Sequence, residues 1–295
     1  MHFLVCIGGE QYSLNTLKFG ISLSSSLLAD LSILYVQPQI SYLFKQEVRA
    51  TREKLESWEI ETTELRVIRG VEKILLKEGV LRTVDGKIDV RHPPKAGIHG
   101  AFEYHLYGSD GTNVRIRVRE GDVVNSIIKE NQEVDYDLVV VGAPQDGGRL
   151  IRQIIHYIET SVLIVKGFRD ITPRLLLCLD DSEAARRAER FAAQAARLLN
   201  TSVDILSIYS YPWEEKAVAE VAERARRVLE RVHIPSTVRV RRGPVVRTIL
   251  REAEEDHIVV MGTSERSSLS QFILGSTPVE IGRKGRNPVL VVKNI

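Results

Sequence analysis

The sequence predicts an α/β chain built from two doubly wound, five-stranded parallel-sheet domains, with a β-rich insertion in the first. Three observations carry that prediction. Short aliphatic runs bounded by Gly and Pro recur along the chain in the manner of buried strands. Amphipathic stretches lie between them, and strands alternating with helices imply parallel pairing through right-handed crossovers. The whole series of strands then occurs a second time, in the same order.

The first strand, Phe3–Ile7, matches Leu175–Leu179, with Cys6 on Cys178. The second, Asp30–Val36, matches Val203–Tyr209 with a small shift. Val114–Val124 matches Val238–Val246, Asp137–Gly142 matches His257–Gly262, and Ser161–Lys166 matches Pro288–Lys293. Gly167–Pro173 has the composition of a short linker, so domains of residues 1–167 and 173–295 are expected. Between the strands of the second half, Glu183–Leu199, Glu214–Val232 and Val245–Glu255 carry apolar residues at helical spacing, and Asn200 supplies a stop. The Val-Arg-Val-Arg patterns at 114–119 and 238–241 suit edge strands with one dry face and one charged face. The last strands of the two halves, Val162–Val165 and Val289–Val292, are almost purely aliphatic.

Residues 68–112 have no counterpart in the second half. Val71–Glu78 is helix-like, and Leu81–Val90 reads as a hairpin around Asp85-Gly86. Ser109–Thr112 marks a second turn, so extra strands should extend the sheet beside the third strand. Arg91-His92-Pro93-Pro94-Lys95 reads as a stiff, extended connector. His92, His99 and His105 match no compact ligand spacing, and no metal site is expected from them. A lid or a surface for a protein partner is the expected use of the insertion.

The 295 residues include 41 basic and 39 acidic side chains, a near-balance that points away from nucleic acid and from membrane surfaces. No apolar run approaches the roughly 18–20 residues that cross a bilayer. Met1–Val5 leads straight into a strand, without the pattern of a secretory signal. Both cysteines lie in apolar runs and read as reduced, buried thiols. A cytoplasmic location is expected.

The tail holds the chemistry. His257–Met261 is a strand that breaks at Gly262; a polar loop follows, and Gly275-Ser276-Thr277 opens the next helix. Loop amides and the unpaired N–H groups of a first helical turn are suited to an anion. In an open parallel sheet, ligands bind at the carboxyl ends of strands where the strand order reverses. That rule sets Asp180, after the first strand of this half, beside Gly262, after the fourth.

These features resemble the universal stress protein family in its tandem, pseudo-dimeric form, an adenine nucleotide alpha hydrolase-like fold. Asp180-Asp181-Ser182 is similar to the family's acidic turn. Gly262, Gly275 and Ser276 fall at the separations of its G-x2-G-x9-G-(S/T) loop. The resemblance implies that Asp180 contacts adenosine and that Ile208 lines the base pocket. It implies that Met261, Gly262 and Ser264 contact ribose and phosphate, and that Gly275, Ser276 and Thr277 cradle the phosphate. ATP, ADP or AMP is then the expected ligand, with magnesium allowed beside it, and a homodimer of the chain is allowed. Glu265 stands where the loop has its second glycine, and its charge favours a ligand with few phosphates.

The first half reads as emptied. Gly8 replaces the acid, and Gly142 to Val162 spans 20 positions where Gly262 to Val289 spans 27. The seven missing residues amount to about two helical turns. Two functions follow from different features: an adenine-nucleotide-binding regulator, or a nucleotide-free stress-response scaffold working through protein contacts. No nucleophile–base set or Walker-type loop supports an enzyme beyond a slow ATPase.

Overall fold

A computed structural model describes residues 1–8, 11–37, 63–96, 102–143, 148–167, 173–263 and 276–293. It divides into two compact units, residues 1–135 and 136–295.

The first unit contains β1 (His2–Ile7), α1 (Gln11–Ser26), β2 (Asp30–Gln37), α2 (Thr63–Lys77), β3 (Thr83–Val84), β4 (Lys87–Ile88), β5 (Val90–Ala96), β6 (Phe102–Tyr107), β7 (Asn113–Glu120) and α3 (Val123–Glu133). Its sheet runs β1-β2-β7-β6-β5. The first two pairings are parallel, and β6 and β5 are added antiparallel beyond β7. The insertion therefore extends the sheet beside the third strand. The helix expected from Val71 begins at Thr63 and closes at Lys77. Asp85 and Gly86 both take positive φ, +51° and +74°, as a two-residue turn between β3 and β4 demands.

Two expectations are corrected here. Arg91–Lys95 is not a free connector but part of β5, the outermost strand, whose register breaks around Pro93 and Pro94. Proline has no N–H for a ladder, and an edge strand can forgo it. The second correction concerns β7, which is interior because β6 covers it. Its arginines serve ion pairs instead of guarding an edge. Arg117 Nη1 reaches both oxygens of the fully buried Glu130 at 2.6 and 2.7 Å, and Arg119 Nε joins at 2.9 Å.

The second unit contains β8 (Leu138–Gly142), α4 (Gly148–Tyr157), β9 (Ser161–Val165), β10 (Arg174–Leu179), α5 (Glu183–Leu198), β11 (Val203–Tyr209), α6 (Glu215–Arg231), β12 (Ser236–Arg242), α7 (Val245–Glu252), β13 (His257–Gly262), α8 (Ser276–Lys284) and β14 (Val289–Val292). The sheet order is β12-β11-β10-β13-β14-β9-β8, and the first five strands are parallel. β10 to β12 step one way and β13 to β14 step the other. Right-handed crossovers then put α5 and α6 on one face, α7 and α8 on the opposite one. The Val-Arg pattern at 238–241 lies on β12, an edge strand as expected.

Local sequence explains the element ends. Ser182 caps α5, its Oγ accepting from the Ala185 N–H at 3.1 Å. Ala184, Ala185, Ala188, Ala192 and Ala196 form the buried face of α5 and let it lie close to the sheet. Asn200, at φ +49°, turns the chain out of the helix.

β14 and β9 are antiparallel, with Leu290 opposite Leu163. These leucines are equivalent in the repeat, so a pseudo-two-fold axis passes between them. The same symmetry governs two lysines. Lys166, after β9, donates to the Arg283 carbonyl in the last turn of α8; Lys293, after β14, donates to the Ile155 and Ile158 carbonyls at the end of α4. Each strand's terminal lysine thus caps the helix belonging to the other repeat. The expected pseudo-dimer contact is made within this unit by β9 against β14 and by α4 against α8. Among the described residues, no helix is long and apolar enough to cross a membrane.

Candidate functional site

The candidate site follows from strand order. β10 lies between β11 and β13, at the point where the order reverses. Leu179 pairs with Ser207, and Leu177 pairs with Val260. Extending the two ladders sets Asp180 level with Ile208 on one side and with Thr263 on the other. The Ser207 hydroxyl donates to the Leu179 carbonyl at 3.1 Å and ties the first two strand ends together.

Asp180 is exposed at this mouth. Its Oδ1 accepts from the Ser182 N–H at 2.9 Å, and that turn starts α5. One carboxylate oxygen therefore shapes the turn, on a side chain that is exposed at the mouth. Asp181 pairs with Arg186 and Arg224, at 3.5 and 3.8 Å. Ile208 is half-buried, as a residue lining the floor of a mouth would be.

Gly262 has a different reason to be glycine from the one the loop pattern implies. A Cβ placed there would lie 2.2 Å from the Ala184 carbonyl oxygen and 2.9 Å from the Ala184 Cβ. The end of β13 is pressed against the first turn of α5, and only a residue without a side chain fits. Met261 faces the core, 5% exposed, so its side chain belongs to packing. The Thr263 N–H donates to the Val292 carbonyl at 3.3 Å and carries the β13–β14 pairing to the rim.

Ser264, Glu265 and Gly275 lie outside the described residues, and so does the side chain of Ser276. The backbone of Ser276 opens α8, with Thr277 half-buried in its first turn. The first N–H groups of any helix have no intrahelical acceptor, and Pro278 has no N–H to offer. Asp180, Ile208 and Gly262 are thus gathered at adjacent strand ends, while Ser276 and Thr277 stand at the start of the following helix.

Two features escaped the sequence reading. Tyr211 and Trp213 stack face to face just past β11, centroids 4.6 Å apart and rings 8° from parallel. They are 54% and 75% exposed. The signal was the run Tyr209-Ser210-Tyr211-Pro212-Trp213, dense in aromatics immediately after a strand. The other feature lies at the opposite end of the strands, where Asp204, Glu254 and His257 approach as a trio of metal-type ligands would. Arginines already fill it. Asp204 Oδ2 accepts from Arg174 Nη1 at 3.1 Å, Arg239 Nη2 at 3.0 Å and His257 Nε2 at 3.0 Å. Its Oδ1 accepts from the Thr237 hydroxyl at 2.6 Å. His257 Nδ1 accepts from the Glu254 N–H at 2.9 Å, which fixes a neutral ring with its proton on Nε2. Burial pushes the His257 pKa down, against an upward pull from Asp204.

Both thiols are chemically quiet. Burial pushes the Cys6 and Cys178 pKa values up, Cys178 to about 12.

Comparison with known proteins gives one family. The model of the universal stress protein family matches residues 1–166 and again 172–293. The chain is 22% identical over 303 aligned residues to Universal stress protein Slr1230 of Synechocystis, with 99% of each chain covered. It is 26% identical to a universal stress protein of Mycolicibacterium smegmatis, over 62% of this chain and 70% of that one. A universal stress protein crystal structure from Archaeoglobus fulgidus superposes with a TM-score of 0.65 at 18% identity, covering 99% of this chain and 98% of that one.

Proposed function

This chain belongs to the universal stress protein family, and from that premise we propose that it is a regulator that binds an adenine nucleotide at the β10–β13 mouth. The observation that carries the reading is the register that brings Asp180, Ile208 and the end of β13 to one rim. In this reading the second carboxylate oxygen of Asp180 accepts from a ribose hydroxyl or the adenine amine. Ile208 packs on the base, and Ser264 with the backbone of Met261 and Gly262 borders the ribose and phosphate. Gly275, Ser276 and Thr277 donate to phosphate oxygens at the start of α8. AMP suits the site better than ATP, because the Glu265 carboxylate in the loop repels each added phosphate.

Equilibrium dialysis of AMP, ADP and ATP against the wild type and Asp180→Ala tests the proposal. Binding by the wild type, weakened about 10- to 100-fold in the variant, is the expected result for one lost charged hydrogen bond. No binding by either protein overturns it and leaves the nucleotide-free scaffold, a reading favoured by the structural use of Asp180 Oδ1 on Ser182. We also take residues 1–167 and 173–295 as the two repeats, the first without a nucleotide. Protein partners at the insertion, a homodimer of the chain and a cytoplasmic location complete the proposal.

A further inference from the structure

We propose that the stacked Tyr211–Trp213 pair is a platform for the nucleobase of the ligand, and that it sets the preference for a purine; this rests on the nucleotide reading of the β10–β13 mouth. The pair occupies the turn that leaves β11, the strand whose Ile208 stands level with Asp180. Tyr211 follows Ile208 by three residues, so their Cα atoms lie at most about 11 Å apart. With the strand spacing added, the Tyr211 Cα lies at most about 16 Å from that of Asp180, a gap that the two side chains and a nucleoside monophosphate together can close.

The turn is built to hold its shape. Glu214 Oε2 accepts from the Ser210 and Tyr211 N–H groups at 2.9 and 3.0 Å, and the Glu214 N–H donates to the Tyr211 carbonyl at 3.0 Å. At the end of β12, Arg242 Nε donates to the Ser210 carbonyl at 3.4 Å, and the N–H of the next residue, Gly243, donates to the Tyr209 carbonyl at 3.0 Å. The backbone that carries the two rings is fixed in this way, and the rings rest on each other, so less ordering is left to do when a ligand arrives.

Chemistry selects the occupant. A tryptophan three-quarters in water forgoes the burial that normally stabilises its large apolar surface. Parallel aromatic faces accept a third flat π-system in continuation of the stack, and a purine presents the larger face. The residues that flank the pair in the chain are Ser210, Pro212, Glu214, Glu215 and Lys216, all but Glu214 exposed. That polar, charged setting suits a small planar ligand better than the apolar core of a protein interface.

The test measures AMP, CMP and ribose 5-phosphate binding to the wild type, Trp213→Ala, Tyr211→Ala and Trp213→Phe by equilibrium dialysis. A Trp58→Phe background leaves Trp213 as the sole tryptophan for fluorescence. The expected result is a Trp213→Ala loss of roughly 5- to 150-fold in AMP affinity, the range of base–aromatic stacking. Trp213→Phe should retain most of the affinity, ribose 5-phosphate should be indifferent to every substitution, and AMP should quench Trp213 and bind tighter than CMP. Equal AMP affinity in wild type and Trp213→Ala overturns the platform while the crevice reading stands. Failure of the wild type to bind AMP or ribose 5-phosphate overturns both. Ring loss that weakens ribose 5-phosphate as much as AMP shows a structural effect and overturns the platform.

Discussion

Replacing Asp204 by alanine should destabilise the second unit by about 3 kcal/mol. The carboxylate is 2% exposed and accepts from Thr237, Arg174, Arg239 and His257. A hydrogen bond to a charged group contributes about 1.5–3 kcal/mol, but such contributions do not add when donors share one acceptor. Breaking a buried ionic network by deleting one member typically costs about 3–5 kcal/mol. Here the two guanidinium groups are 30% and 22% exposed and water can rehydrate them, which favours the low end. The imidazole has no such relief, because it is fully buried and its Nε2–H loses its acceptor. Urea unfolding followed by circular dichroism should show the midpoint falling by roughly 1–3 M, with a slope like that of the wild type. Asp204→Asn keeps the shape and an acceptor for Thr237 and should fall between the two. A loss under about 0.5 kcal/mol in Asp204→Ala would refute the reasoning, since it would mean that these charges are solvated in the fold.

Three further predictions rest on the same unit. Gly262→Ala should cost at least about 1–3 kcal/mol, because the new methyl meets the backbone of Ala184, whereas Gly167→Ala, with nothing within 4 Å, should stay within about 0.5 kcal/mol in the same urea assay. Burial holds the His257 pKa below its ordinary value, so the unfolded chain binds the extra proton first as pH falls. The stability due to this ring is complete above about pH 6.5 and is lost below it, and the wild-type advantage over His257→Leu should shrink between pH 7 and pH 5. Burial also pushes the Lys293 pKa down to about 8 from its ordinary 10.5. Between those values the unfolded chain holds a proton that the folded chain has released, so stability rises with pH. Relative to Lys293→Met, the wild type should gain on the order of 3 kcal/mol from pH 7 to pH 11, as read by urea midpoints across that range.

Much of this protein is legible without coordinates, because burial and backbone geometry write themselves locally. Aliphatic runs such as Val259–Met261 and Val289–Val292 can only be buried strands once helices alternate with them. Asp85-Gly86 dictates its own turn through two positive φ angles, and Ser182 with Asn200 brackets α5. Alternating strands and helices imply a doubly wound sheet, and its switch point sets Asp180 beside the end of β13.

What local sequence does not contain is the identity of distant neighbours. Val114–Arg119 and Val238–Arg241 carry the same alternation, yet only β12 is an edge, because the inserted β6 covers β7, whose Arg117 and Arg119 pair with Glu130. Gly262 is a phosphate-loop glycine by pattern, but its missing side chain accommodates Ala184, nearly 80 residues earlier in the chain. The exchange of caps by Lys166 and Lys293 requires two antiparallel strands from different repeats to meet, and Asp204 draws its four donors from three other strands. Periodicity records whether a residue is buried; only the folded chain decides against what.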